Sequence, residues 1–257
     1  GCDSVQPLID RVFAETVTSN TVTMDEDTTY TFSASDFNYS DVDGDPLASV
    51  KITTLETAGA LKLNGADVTL NQVISKANID AGLLKFTPVA NENSAQYATF
   101  AFSVNDGTVD GTVYSFGGSA ALMTVNVTAV NDLPTSTNKT VTTNEDTTYT
   151  FTASDFNYSD VDGDPLASVK ITVLEMAGAL KLNGADVTLN QVISKANIDA
   201  GLLQFIPVAN ANGAAYASFQ FKVNDGTADA VAASTMTVNV TAVNDDPTVS
   251  AAVTSTK

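Results

Sequence analysis

Histidine is absent from the 257 residues, and cysteine occurs once, as Cys2. Without histidine the commonest general base is missing, and with it the Ser–His–Asp triad and any His-ligated zinc or copper site. A lone cysteine cannot close an internal disulfide, so any staple beyond the core must be a metal. Bases are scarce: 11 Lys and Arg stand against 30 Asp and Glu, a net charge of −19. That balance repels nucleic-acid phosphates and anionic membrane surfaces and suits a cation-loaded or salt-exposed protein. No apolar run approaches the roughly 18 residues of a membrane-spanning helix, so no membrane insertion is expected in this stretch. No basic segment followed by an apolar one opens the chain, and any signal peptide is expected to be removed or to lie outside it.

What is present is a repeat. The hydrophobic fraction of 44% and charged fraction of 16% belong to a folded chain long enough for two domains. The stretch 26–91 recurs at 145–210 with an offset of 119 residues and five changes. The offset falls to 113 at "TVNVTAVND", so the first copy carries six extra residues around "TVDGTVYSFGGSA", a surface insertion. The organisation reads as 1–19, a segment matching neither copy; 20–131, repeat 1; 132–137, a linker stiffened by Pro134; 138–244, repeat 2; and 245–257, the start of a second linker. Further copies are expected in the natural chain. No role is assigned to 1–19, and Cys2 beside Gly1 fits lipidation or a cloning scar equally.

Each copy reads as β-sheet. Tyr30, Phe32 and Ala34 alternate with Thr29, Thr31 and Ser33 up to about Ser35. Phe100, Phe102 and Val104 point inward from one strand; Met123, Val125, Val127 and Ala129 from another; Leu84 and Phe86 from a third. Further strands are expected at 50–55, 60–63 and 67–70, with Asn-Gly as the turn between the last two. "SKANIDAG" is the one helix-like piece, capped by Ser75 and ended by Gly82. The sequons at Asn126 and Asn239 fall in strands and read as strand composition. Seven or eight short strands in about 105 residues predict an all-β chain of two tandem immunoglobulin-like sandwiches. A closed barrel fits less well, since some connections are too long for hairpins.

The acids are not spread evenly. "SDVDGDPLASVKIT" stands at 40–53 and again at 159–172. Gly44 permits a sharp bend and Pro46 fixes the exit, so Asp41, Asp43 and Asp45 are expected to converge. Two charges 4 Å apart repel by roughly 4 kcal/mol at an effective dielectric of 20, a large part of a domain's stability. A divalent cation reverses the sign of that term. Calcium, with 6 to 8 oxygen ligands in flexible geometry, suits the residues better than magnesium. The loop is not an EF-hand: from Asp41 as position 1, Gly44 falls at 4 and Ile52 at 12. The bland alternative is a polar turn held by Asx hydrogen bonds. Other acidic spots tip the balance toward calcium: Glu26 and Glu145 at the start of each copy, Asp106 and Asp225 in "NDG", and Asn131–Asp132 and Asn244–Asp245 at each exit.

On these motifs the chain, over 20–246, resembles the cadherin family, and more closely the cadherin-like tandem repeats of giant bacterial surface adhesins, the RTX-type and biofilm adhesins. The resemblance implies Ca2+ at the joint. Glu26 would come from the first repeat, Asn131 and Asp132 from a calcium-binding linker, and Asp160, Asp162, Asp164 and Asp225 from the second. It implies half-sites at Asp41, Asp43, Asp45 and Asp106, and at Glu145, Asn244, Asp245 and Asp246. Where cadherins carry Asp-Arg-Glu, this chain has "NEN" at 91–93 and "NAN" at 210–212, so fewer ions per joint are expected. The implied function is a calcium-rigidified, extracellular stalk of a cell-surface adhesin or filament, supporting adhesion or biofilm formation. Its expected partners are further copies of the repeat, with homotypic, surface or glycan contacts. An alternative is a glycan- or protein-binding module using Tyr114 and Phe116 of the insert. An enzyme is not expected, because the acids lie in tight turns without histidine or an evident cleft.

Overall fold

The alternation of "ATFAFSV" becomes one of the two longest strands, and Phe100, Phe102 and Val104 are all fully buried. The computed structural model describes residues 16–41, 44–107 and 120–246; it divides the chain into two units, residues 1–130 and 131–257. The first unit runs β1 (Thr16–Val17), β2 (Asn20–Asp25), β3 (Tyr30–Thr31), a 3-10 turn (Ala34–Phe37), β4 (Tyr39–Ser40), β5 (Ser49–Thr54), β6 (Ala60–Leu63), β7 (Ala66–Asp67), β8 (Val73–Ser75), a short helix (Lys76–Asp80), β9 (Leu84–Thr87), β10 (Ser94–Asn105) and β11 (Ala121–Thr128). The second repeats this as β12 (Thr135–Ser136), β13 (Lys139–Asn144), β14 (Tyr149–Thr150), a 3-10 turn (Ala153–Phe156), β15 (Tyr158–Ser159), β16 (Ser168–Val173), β17 (Ala179–Leu182), β18 (Ala185–Asp186), β19 (Val192–Ser194), a helix (Lys195–Asp199), β20 (Leu203–Ile206), β21 (Gly213–Asn224) and β22 (Ser234–Thr241). The segment expected as a linker, 132–137, lies in the second unit and supplies β12.

Each unit pairs a five-stranded sheet, in the order β2-β11-β10-β5-β8 or β13-β22-β21-β16-β19, with a four-stranded one, β3-β9-β6-β7 or β14-β20-β17-β18. Both sheets feed one core per unit: Leu61, Leu84 and Phe86 of the smaller sheet are in the same buried cluster as Phe100, Phe102 and Val125 of the larger. The fold is all-β, two tandem immunoglobulin-like sandwiches. The first strand of each larger sheet runs parallel to the last, with Val22 opposite Val125 and Val141 opposite Val238.

Four local expectations are corrected. The strand expected to reach Ser35 stops at Thr31; the Asp36 carboxylate accepts the Ser33 N–H at 2.7 Å, and the resulting turn drives Phe37 into the core against Phe102, 4.9 Å between ring centres. The strand expected over 67–70 shrinks to β7, and Leu70 is exposed. Strand β11 ends at Thr128, leaving Ala129 exposed. Among the described residues each unit holds eleven strands rather than seven or eight, because several are two-residue pairs. The helix is as expected, with the Ser75 hydroxyl accepting the Asn78 N–H. The sequon asparagines serve the sheet: Asn126 and Asn239 accept the Gln96 and Ala215 N–H groups where β10 and β21 bulge.

Candidate metal centre

Sheet register decides which acids meet. In the second unit β15 pairs with β12, with Thr135 opposite Ser159, and β16 starts opposite the end of β21, with Ser168 opposite Asn224. Three segments therefore come together at one end, the leading end: 131–136, 160–164 and the "NDG" turn after β21. Asn131 Nδ2 donates to Asp225 Oδ2 at 3.0 Å, and the Asp132 N–H donates to Asp162 Oδ2 at 2.6 Å.

The loop after β15 is closed on itself. Gly163 takes a φ of +81°, the Asp164 N–H donates to Asp160 Oδ1 at 3.1 Å, and the Tyr158 hydroxyl donates to the Asp164 carbonyl at 2.7 Å. Asp160, Asp162 and Asp164 each offer a carboxylate oxygen, and these oxygens lie within 4.8 Å of one another. Asp160 Oδ2 is buried and meets no donor at hydrogen-bond geometry, although the Tyr158 hydroxyl comes near enough to the Asp160 carboxylate for the contact to help raise the phenol. A buried carboxylate oxygen without a donor is costly, and a hard cation would satisfy it. Residues of this type and spacing fit calcium, which draws its ligands from carboxylates, amide oxygens and carbonyls.

The electrostatics agree. Burial raises the Tyr158 phenol, and the charges of Asp160, Asp225 and Asp164 raise it further, to about 12. Burial also pushes Asp225 up, but the Ala228 N–H, the Asn131 amide and the Thr227 N–H outweigh it and hold this carboxyl below its usual 3.8. Asp225 is thus a charged and buried carboxylate. Tyr158 escaped the sequence reading. Its signal is the tyrosine that precedes each "SDVDGD".

The first unit repeats the local geometry where it is described. The Asp45 N–H donates to Asp41 Oδ1 at 3.0 Å and the Tyr39 hydroxyl to the Asp45 carbonyl at 2.8 Å. Asp106 follows β10 at that same end, half-buried. Asp43 lies outside the described residues, as do Tyr114 and Phe116 of the insert.

Glu26 and Glu145 stand at the other, trailing end of their units, because β2 and β13 run parallel to the last strand and both end beside its C-terminus. Both are buried. Glu26 Oε1 accepts the Val130 N–H at 2.7 Å and Oε2 accepts Asn93 Nδ2 at 3.0 Å. Glu145 does the same with Val243 at 2.7 Å and Asn212 at 2.8 Å. Asn244, Asp245 and Asp246 follow, all exposed, with Asn244 Nδ2 donating to the Asp245 carbonyl at 3.2 Å. The acids are thus assigned to two ends of a sandwich whose last strand, at about 3.3 Å per residue over eight residues, is roughly 26 Å long.

A bacterial Ig domain family model, Big_9, matches residues 131–241. No curated protein sequence matches the chain. Among solved structures, the chain is similar to human protocadherin-24 EC1-2, at 12% identity and a TM-score of 0.49, over 90% of this chain and 100% of that one. It is similar to Drosophila N-cadherin EC1-4, at 12% identity and a TM-score of 0.42, over 86% of this chain and 48% of that one. An endo-fucoidan hydrolase of glycoside hydrolase family 107 matches at 17% identity and a TM-score of 0.28, over 90% of this chain; the chain spans 29% of that hydrolase. Among the described residues no helix is long and apolar enough to cross a membrane.

Proposed function

We propose that the chain is a calcium-binding repeat pair from the extracellular stalk of a cell-surface adhesin or filament, of the kind that supports adhesion or biofilm formation. It is a structural module rather than an enzyme. The observation that carries the reading is the triad of carboxylates whose oxygens lie within 4.8 Å of one another, with Asp160 Oδ2 buried and meeting no donor at hydrogen-bond geometry. Calcium would be held by Asp160, Asp162, Asp164 and Asp225, with Asn131 and Asp132 contributing oxygens. It would supply the charge that the triad lacks and pin the segment 131–132 to the second sandwich. By repetition, Asp41, Asp43, Asp45 and Asp106 would hold calcium at the leading end of the first unit. The match of residues 131–241 to a bacterial Ig domain supports an extracellular module of this architecture. A net charge of −19 supports a cation-loaded one.

Extracellular calcium modules bind at about 10⁻⁴ to 10⁻³ M, so occupancy, and with it stiffness, would follow the medium. Calorimetric titration should show calcium binding in that range and magnesium binding more weakly. Small-angle scattering should give a less extended chain in chelator than in calcium. A flat calcium titration, or identical dimensions in both conditions, overturns the reading.

A further inference from the structure

The family resemblance makes Glu26 and Glu145 calcium ligands, but their surroundings point elsewhere. A buried carboxylate needs a cation, a proton or hydrogen-bond donors. Glu26 is 1% exposed and Glu145 is 5% exposed, and neither takes part in an ion pair among the described residues. Both instead have a donor on each oxygen. One is the backbone N–H of the residue leaving the last strand, Val130 or Val243; the other is the side-chain amide of Asn93 or Asn212. The Glu backbone joins in, its own N–H donating to the carbonyl of Thr128 or Thr241 at 3.0 and 2.9 Å. The two copies match bond for bond, although the residues around them differ: Glu92 of the first copy is Ala211 in the second.

The donors matter for chemistry. An N–H directed at a carboxylate oxygen takes up one of its lone pairs. Asp225 too has a donor on each oxygen, but it shares Asn131 with the segment that meets the Asp160–Asp162–Asp164 triad, whereas among the described residues neither Glu26 nor Glu145 belongs to a group of three acids that could share an ion. The reverse orientation of Asn93 or Asn212 would set a carbonyl oxygen against the carboxylate. These asparagines are the last residues of "NEN" and "NAN", where the cadherin pattern has an acid.

We propose that Glu26 and Glu145 are metal-independent latches, each fastening the backbone that leaves its sandwich to the end of the first long strand, with Asn93 or Asn212 as the second clasp. The two ends of a repeat then do different work: carboxylates at the leading end bind calcium and the carboxylate at the trailing end binds N–H groups. The latch stands on geometry within each unit; the corollary, that calcium affinity does not depend on Glu26, rests on the calcium reading above.

The test compares Glu26→Gln and Glu26→Ala with the unaltered chain, reading amide hydrogen exchange in chelator and calcium titration calorimetry. In the unaltered chain the Val130 and Val243 amides should be protected without calcium. Glu26→Ala should cost Val130 about 10- to 100-fold in protection, the range for a hydrogen bond to a charged group, and leave Val243 unchanged. Glu26→Gln should restore most of that protection. Glutamine keeps an oxygen for the Val130 N–H, and its amide can pair with the carbonyl of a rotated Asn93. Both variants should titrate with calcium within about twofold of the unaltered chain. Unprotected Val130 in chelator, or a tenfold or greater loss of calcium affinity in Glu26→Gln, overturns the latch. Should Glu26→Ala fail to fold, Glu26→Gln and the unaltered chain decide it. Should the unaltered chain bind no calcium, the calcium reading falls and the exchange result alone decides the latch.

Discussion

The backbone N–H of Asp132 donates to Asp162 Oδ2 at 2.6 Å, so the residues that open the second unit are tied to the loop that carries its clustered carboxylates. That bond turns the loop charge into something measurable. In chelator, Asp160, Asp162 and Asp164 repel one another; at 4.8 Å in a water-like dielectric each pair costs about 1 kcal/mol. Asp162→Asn removes one charge and keeps an oxygen for the Asp132 N–H. It should therefore raise the melting temperature of the second unit in chelator. In about 10 mM calcium, binding at 10⁻⁴ to 10⁻³ M stabilises the unaltered chain by about 1.4–2.7 kcal/mol, and the variant should lose most of that. Calorimetric melting in both conditions checks the change of sign; destabilisation in both would leave Asp162 a purely structural residue.

Tyr158 offers a second readout. Its hydroxyl hydrogen bond to the Asp164 carbonyl is worth about 0.5–1.5 kcal/mol, so Tyr158→Phe should destabilise the second unit by that amount and weaken calcium binding severalfold. The phenol itself should report the ion. Burial, then Asp160, Asp225 and Asp164, hold it at about 12, while Tyr149, also at about 12, is raised by burial and Asp155. A tyrosine raised above its usual 10 adds stability that is complete below pH 10 and is lost between 10 and 12, as the unfolded chain ionises first. Of these two phenols, only Tyr158 is surrounded by carboxylates that calcium would neutralise. Ultraviolet titration should therefore show one late phenol moving down in calcium and the other staying.

The parts of this fold legible in the sequence were those with a local period. Phe100, Phe102 and Val104 declare their strand by alternation, and Ser75 declares its helix by capping chemistry. Strand β13 did not read as one: Lys139–Asn144 contains a single buried apolar residue, Val141, and its partner Val238 is remote in sequence, so the pairing is a tertiary fact. The turn at Ala34–Phe37 was hidden by Ser33 and Asp36, whose side chains bond the backbone and divert a strand-like pattern. The acid triad was legible because its spacing is charge chemistry. The setting of Glu26 was not, because its partners Val130 and Asn93 are 104 and 67 residues away.

Two glycines separate backbone strain from crowding. Gly163 sits at φ +81° with open space where a Cβ would go, whereas at Gly178, φ +71°, a Cβ would lie 2.5 Å from Phe205 Cζ and 2.8 Å from the Ile206 carbonyl oxygen. Gly163→Ala should cost only the left-handed backbone penalty, about 1–2 kcal/mol. Gly178→Ala adds an overlap against a fully buried ring and a fixed carbonyl, a further 1–3 kcal/mol or so. Urea midpoints should rank the two variants in that order; equal costs would mean that Phe205 yields.

Acid should loosen the trailing end of the second unit in a defined direction. The Asn212 amide, and then the Val243 N–H, hold the Glu145 carboxyl below its usual 4.5 against the smaller opposing effect of burial. A carboxyl depressed in the folded chain contributes stability that is complete above the unfolded value and disappears as pH falls through the folded one. In chelator, stability should thus hold from neutrality to about pH 4.5 and decline below it, since the unfolded chain takes up its proton first. Asp225, depressed from 3.8, adds to the decline at lower pH. Glu145→Gln cannot titrate, so its urea midpoint should fall less than that of the unaltered chain between about pH 5 and 3. Val243 should keep its exchange protection in that variant down to pH values at which the unaltered chain has lost it. Parallel pH curves for the two proteins would remove Glu145 from the acid response and leave Asp225 to account for it.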